Sequence, residues 1–202
     1  MLWTRPVTDT NETYVLIDIE TDGFSPGHYS MLSFAAVAFK LDKTILTTFE
    51  RNLETLPGAK QHPQNMQFWA ENPEAWAACR KDPVPPQQAM RDFYDWAKAL
   101  PGDEPAVVVA HPASFDHAFI YWYFEQFVGG FPFHFAGLDM ASYAMAILGT
   151  PYAKSSKQHM PPHWIDPTPH THVAMDDAIG HAMTFCNMAA AAARLRGDET
   201  LG

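Results

Sequence analysis

Two acidic residues one position apart, Asp18 and Glu20, end a segment that begins with the apolar run 14–17. Side chains alternate between the two faces of a β-strand, so both carboxylates are predicted to point to the same face of a sheet. Neighbouring carboxylates repel each other unless a cation lies between them, and hard divalent ions prefer such oxygen ligands. The pair therefore predicts part of a divalent metal site, provided that the rest of the chain supplies further ligands.

Two later segments carry acidic residues that could complete such a site. The apolar run 106–110 leads to His111, and Asp116 falls in the first turn of the helix predicted next. Further along, His172 precedes a predicted helix that has Asp177 in its first turns. Four carboxylates would suffice for two divalent ions, which together can activate a water and stabilise a leaving oxygen. An imidazole, with an unperturbed pKa of about 6.5, suits removal of a proton from that water.

The pattern of strands and helices predicts a single α/β domain over residues 13–202, preceded by an N-terminal arm at 1–12. Segment 52–86, rich in Pro, Asn and Gln, is predicted to form short helices and loops, and 150–171 a loop rich in Pro and His. Strands are predicted at 14–20, 31–40, 44–50, 106–110 and 135–138. Helices are predicted at 74–81, 86–100, 115–127, 139–148 and 173–195.

The composition limits the classes of function. With 202 residues, 47% of them hydrophobic, the chain can bury one core. Its formal net charge of −10 argues against a broad basic surface that would bind long tracts of nucleic acid. Its two cysteines, Cys79 and Cys186, lie far apart, which fits a reducing cytoplasm. No apolar stretch is long enough to suggest a membrane span. We therefore expect a cytoplasmic protein that does not bind membranes.

In the order and spacing of its motifs, the chain resembles the DEDDh 3′–5′ exonucleases, the DnaQ-like branch of the RNase H-like superfamily. The matching motifs are Asp18-x-Glu20-Thr21-x-Gly23, Ala110-His111-x-Ala113-x-Phe115-Asp116 and His172-x-x-x-x-Asp177-Ala178, with a further likeness at 137–141. The resemblance implies an RNase H-like fold with a five-stranded mixed sheet of order 3-2-1-4-5. It also implies that His172 is the general base and that two Mg²⁺ or Mn²⁺ ions are held by Asp18, Glu20, Asp116 and Asp177.

The activity implied by this resemblance is the removal of nucleoside 5′-monophosphates from the 3′ end of single-stranded or frayed DNA or RNA. Two alternatives stay open at this point. The chain could be an exoribonuclease of the RNase T or oligoribonuclease type, or a nucleic-acid-binding module that has lost catalysis. The resemblance also allows a homodimer, because several family members pair through their helices.

Six residues are candidates for contact with the substrate: Thr21, Gly23, Phe24, Phe68, Trp69 and His111. A glycine lets the backbone approach a nucleotide, and aromatic side chains can stack on bases. For Phe68 and Trp69, burial in the core is an equal alternative. Two other acidic residues are expected outside the metal shell, Asp139 as a helix cap and Asp176 facing solvent or the ligands.

Overall fold

The structure, a computed structural model, describes residues 11–168 and 172–197. It contains one five-stranded sheet of order β3-β2-β1-β4-β5. The strands are β1 (Tyr14–Thr21), β2 (Met31–Phe39), β3 (Ile45–Asn52), β4 (Val107–Ala110) and β5 (Leu138–Asp139). The first three strands pair antiparallel, whereas β4 runs parallel to β1 and to β5. The predicted mixed sheet and its strand order are confirmed, whereas most of the predicted arm at 1–12 lies outside the described residues.

Six helices flank this sheet in the described part of the chain. They are α1 (Pro63–Glu71), α2 (Pro73–Cys79), α3 (Pro86–Lys98), α4 (Ala113–Phe127), α5 (Met140–Leu148) and α6 (Ala174–Arg196). The short helices expected within 52–86 are α1 and α2, and the predicted loop at 150–171 contains two 3₁₀ turns, Tyr152–Lys154 and Lys157–His159. Among the residues described, no helix combines the length and apolar character needed to cross a membrane.

Strand β1 sends alternate side chains into two separate cores. Val15 and Ile17 pack in the core formed with α3 and α4, whereas Leu16 packs on the opposite face in the core formed with α5 and α6. Asp18 and Glu20 continue the series begun by Leu16, so they leave the sheet on the α6 face. The same alternation that builds the two cores therefore delivers both carboxylates to the layer in which α6 lies.

The core on the other face is centred on Phe93 of α3, which is fully buried. The centroid of its ring lies 4.8 Å from that of Phe34, 5.1 Å from that of Phe49 and 5.4 Å from that of Phe124. These partners belong to β2, β3 and α4, so one side chain joins α3 to two strands and a neighbouring helix. Aromatic rings bury large areas, and this cluster is a main source of the stability of the domain.

Phe93→Ala is expected to lower the free energy of unfolding by about 3–5 kcal/mol, because it leaves a large cavity among these rings. Urea unfolding followed by circular dichroism measures the change. Phe135, which is 76% exposed, provides the matched control. Phe135→Ala should change the free energy of unfolding by no more than about 0.5 kcal/mol. Equal losses for the two variants would contradict the assigned core.

Candidate active site

The carboxylates of β1 face small side chains on the neighbouring strand. Across the β1–β2 ladder, Asp18 is paired with Ala35 and Glu20 with Ser33. Directly paired residues share a face of the sheet, so their size decides how much room remains beside the carboxylates. Ala35 and Ser33 leave room for further ligands to approach from above the sheet.

Asp116 reaches this point from the first turn of α4. The backbone N–H of Ile19 donates a hydrogen bond to Oδ1 of Asp116 at 3.2 Å. Strand β4 pairs with β1 only as far as Leu16, so later amides on this edge of β1 have no strand partner there. The carboxylate of Asp116 accepts in place of that partner. Asp116 is only 5% exposed, and this hydrogen bond fixes its carboxylate next to the acidic end of β1.

His172 and Asp177 lie together at the start of α6. The backbone N–H of His172 donates to Oδ2 of Asp177 at 3.1 Å, and Asp177 is buried. His172 has φ 56°, in the left-handed region, and its ring packs edge-on against Phe68 with centroids 5.0 Å apart. One potential ligand atom each from Glu20, His172 and Asp177 lie within 4.8 Å of one another. The neighbouring Asp176 is exposed, as expected.

Burial and mutual repulsion shift the pKa values of the carboxylates in this cluster. Burial, followed by the charges of Asp18, Asp177 and Asp116, raises the pKa of Glu20 from 4.5 to about 9. Burial, and then the charge of Asp18, also raises the pKa of Asp116 well above its usual range. Like charges in a poorly solvated site shift pKa values in this direction, and a bound divalent cation reverses the effect. Carboxylate oxygens beside an imidazole are ligands that fit Mg²⁺ or Mn²⁺.

Three of the candidate substrate residues have structural roles. Oγ1 of Thr21 donates to the carbonyl oxygen of Gly23 at 2.8 Å, and Nε1 of Trp69 donates to the carbonyl oxygen of Thr21 at 3.0 Å. A Cβ on Gly23 would lie 2.1 Å from the ring of Tyr29, so packing alone requires a glycine here. Trp69 is 2% exposed and packs in a small core with Leu32. This burial argues against the predicted stacking of Trp69 on a base.

The other candidate substrate residues are more accessible. Phe24 is 54% exposed and its ring meets that of His62, with centroids 4.7 Å apart. Phe68 is half-buried beside His172. His111 is half-buried as well, and burial followed by the proximity of His181 lowers its pKa. Contacts of Phe24, Phe68 and His111 with substrate stay predictions.

His181 lies in the site although no motif of the sequence pointed to it. It follows Asp177 by one turn of α6, and its Nδ1 lies 3.6 Å from Oδ1 of Asp18. Residues four apart share a face of a helix, so the spacing from Asp177 was the available signal. Its burial beside Asp18 places a second imidazole next to one of the candidate metal ligands.

Asp139 caps α5 as predicted and also supports the site. Its Oδ1 accepts a hydrogen bond from the N–H of Ser142 at 2.7 Å, and its Oδ2 accepts one from the N–H of Ala113 at 3.0 Å. Partial burial pushes the pKa of Asp139 upward, but these hydrogen bonds outweigh it and hold the pKa below its usual value. Ala113 begins α4, so the same carboxylate anchors the helix that carries Asp116.

A sequence model of the Rv2179c-like 3′-5′ exoribonuclease domain matches residues 13–189. The chain belongs to this family. It is a 3′–5′ exonuclease, a hydrolase of phosphodiester bonds. The 3′-5′ DNA exonuclease Cap18 of Escherichia coli is 34% identical over 133 residues, which cover 65% of this chain and 67% of Cap18. Ribonuclease T of Baumannia cicadellinicola is 30% identical over 197 residues, which cover 91% of this chain and 86% of that enzyme.

Solved structures with the same fold support the predicted RNase H-like architecture. The nuclease domain of 3′hExo, a DEDDh family member bound to rAMP, aligns with a TM-score of 0.65 at 14% identity over 93% of this chain and 94% of that one. A zinc-bound complex of E. coli ExoI with single-stranded DNA aligns with a TM-score of 0.59 at 13% identity over 93% of this chain and 41% of that one. The predicted fold is thereby confirmed, and the family model and the relatives confirm the predicted resemblance to 3′–5′ exonucleases.

In the absence of divalent metal, Glu20→Gln is expected to stabilise the protein increasingly as the pH rises above 4.5. A carboxyl whose pKa is raised to about 9 binds its proton more tightly in the folded chain than in the unfolded chain. Its ionisation therefore lowers the free energy of unfolding through this pH window, by at most about 1.4 kcal/mol per pH unit. Glutamine cannot ionise, so it escapes this loss.

Urea unfolding in EDTA at a series of pH values between 5 and 8.5 measures the difference between Glu20→Gln and the wild type. Glu50→Gln, at an exposed position of β3, is the control and should show no comparable trend with pH. A difference between Glu20→Gln and the wild type that stays constant across this range would contradict the raised pKa.

Proposed function

We propose that the protein is a Mg²⁺- or Mn²⁺-dependent exonuclease that releases nucleoside 5′-monophosphates from the 3′ end of single-stranded or frayed nucleic acid. The observation that carries the proposal is the convergence of acidic side chains from β1, α4 and α6 with an imidazole beside them. Membership of an exonuclease family supports the same reading.

The ligands for two divalent ions would be Asp18, Glu20, Asp116 and Asp177. When bound, the ions lower the pKa of the attacking water and offset the charge that develops on the phosphate and the leaving oxygen. The rigid attachment of each carboxylate supports this role. Asp116 and Asp177 are tied by backbone N–H donors, and Asp18 and Glu20 project from a central strand.

His172 would act as the general base. One of its ring nitrogens lies within 4.8 Å of carboxylate oxygens of Glu20 and Asp177, so a water held at that point is within its reach. The packing of its ring against Phe68 restricts its orientation. As the water oxygen bonds to phosphorus, its proton passes to the imidazole, and the bond from phosphorus to the 3′ oxygen of the shortened strand breaks.

The relatives differ in the nucleic acid, RNA or DNA, that their names specify. The matching family is described as a 3′-5′ exoribonuclease domain and several relatives are named ribonuclease T, whereas Cap18 is named a DNA exonuclease. An exoribonuclease is therefore a second candidate with direct support. The inactive-module alternative is disfavoured because all five residues of the catalytic set are present. The net charge of −10 favours short strand ends over long tracts.

Asp18→Asn and His172→Ala should each lower the rate of mononucleotide release by at least about 100-fold, because one removes a charged ligand and the other the base. The assay compares 3′-labelled single-stranded RNA and DNA of the same sequence with Mg²⁺, Mn²⁺ or EDTA. The same assay shows whether RNA or DNA is the preferred substrate.

The matched control for these variants is His163→Ala, which removes an exposed loop histidine and should retain the wild-type rate. Circular dichroism verifies that each variant is folded. Cleavage at the wild-type rate by either Asp18→Asn or His172→Ala would refute the assigned roles. The homodimer stays a prediction, which light scattering of the purified protein would test.

A further inference from the structure

We propose that a cleft beside Asp18 is a subsite for the phosphate that lies immediately 5′ to the scissile phosphate, and that Lys157 binds this phosphate. The proposal rests on the proposed function and deepens it. The cleft has a volume of about 650 Å³ and is lined by Asp18, His111, Ser156, Lys157 and His181, among others.

The cleft meets the candidate catalytic residues only on one side. Its lining includes Asp18 but none of Glu20, His172 and Asp177, which form their own close group. His181, which lies in the cleft wall, follows Asp177 along α6 by four residues, or about 6 Å of helix. His172 precedes the same helix. Along α6, His172 therefore lies before Asp177 and the wall of the cleft begins one turn after it.

The geometry of the reaction relates the positions of His172 and of the cleft to the two ends of the bond that is exchanged at phosphorus. Displacement at phosphorus places the attacking and leaving oxygens roughly in line, on opposite faces of the phosphoryl group. A water that loses its proton to His172 attacks from the side of Glu20 and Asp177. The 3′ oxygen that leaves then departs on the side of Asp18 and the cleft. The nucleotide carrying that oxygen has a 5′-phosphate of its own, which follows it into the cleft.

The wall of the cleft has the charge that such a phosphate requires. Lys157 is its one Lys or Arg within the part of the chain that the structure describes, and its Nζ lies 3.4 Å from Nε2 of His181. His181 in turn lies 3.6 Å from Asp18, so the ammonium group is held close to the catalytic carboxylates. An ammonium group binds phosphate as a point charge without reading the base.

Other polar groups of the same wall fit this assignment. Nδ1 of His111 is buried and has no hydrogen-bond partner among the described residues. The hydroxyl of Ser156 lies 2.9 Å from Nδ1 of His159, which fixes the start of the turn that carries Lys157. The cleft thus combines the Lys157 ammonium group with hydrogen-bonding groups of His111 and Ser156, beside the carboxylate of Asp18, in a chain whose overall charge is negative.

The test removes the charge of one phosphate without changing the length of the substrate. Two single-stranded oligonucleotides differ only in the linkage 5′ to the scissile one, which is a phosphodiester in one and a neutral methylphosphonate of defined stereochemistry in the other. For the wild type, kcat/KM for release of the 3′ nucleotide should be about tenfold higher with the phosphodiester. For Lys157→Gln the ratio between the two substrates should fall to near one.

Lys154→Gln is the matched control, because Lys154 is an exposed lysine three residues earlier and does not line the cleft. It should keep the ratio of the wild type. The subsite would be overturned if the wild type cleaved both substrates at about the same kcat/KM. It would also be overturned if Lys157→Gln kept the ratio of the wild type, which includes an equal loss of kcat/KM on both substrates. Failure of the wild type to cleave either oligonucleotide would instead overturn the proposed function, and the subsite with it.

Discussion

Mutual repulsion among carboxylates at the end of β1 is the constraint on which the rest of the structure depends. The pKa of Glu20, raised to about 9 by burial and by its acidic neighbours, shows how unfavourable the fully ionised cluster is without a cation. The fold maintains the cluster by tying Asp116 and Asp177 to backbone N–H groups and by carrying the other two on a central strand. A site held together in this way is preorganised for cations, and folding supplies the energy for it.

One face of the sheet carries the aromatic core, and the other carries the helix that supplies residues of the candidate active site. The aromatic core around Phe93 fastens α3 and α4 on one face. On the other face, α6 contributes Asp177 and His181 one turn apart, with His172 directly before it. One helix therefore sets the spacing of the base, a ligand and the wall of the neighbouring cleft. A change in the register of α6 on the sheet would move all three together.

The parts of the site that follow local rules were predictable from the sequence. The alternation in β1 puts Asp18 and Glu20 on one face, and strand and helix patterns place Asp116 and Asp177 in helical first turns. Local rules cannot say that these segments converge, and that expectation came from family resemblance. Local rules also could not tell whether Phe68 or Trp69 is buried, because the buried side of α1 is decided by its contacts with Leu32. The link from Asp139 to the start of α4 is likewise a tertiary contact.

The most direct test of the account is anomalous X-ray diffraction from crystals grown with Mn²⁺ and a nucleoside 5′-monophosphate. Two manganese peaks about 4 Å apart are expected, with oxygens of Asp18 and Glu20 among their ligands and Asp116 and Asp177 beside them. Crystals in which manganese is absent from these carboxylates, or bound elsewhere on the chain, would contradict it.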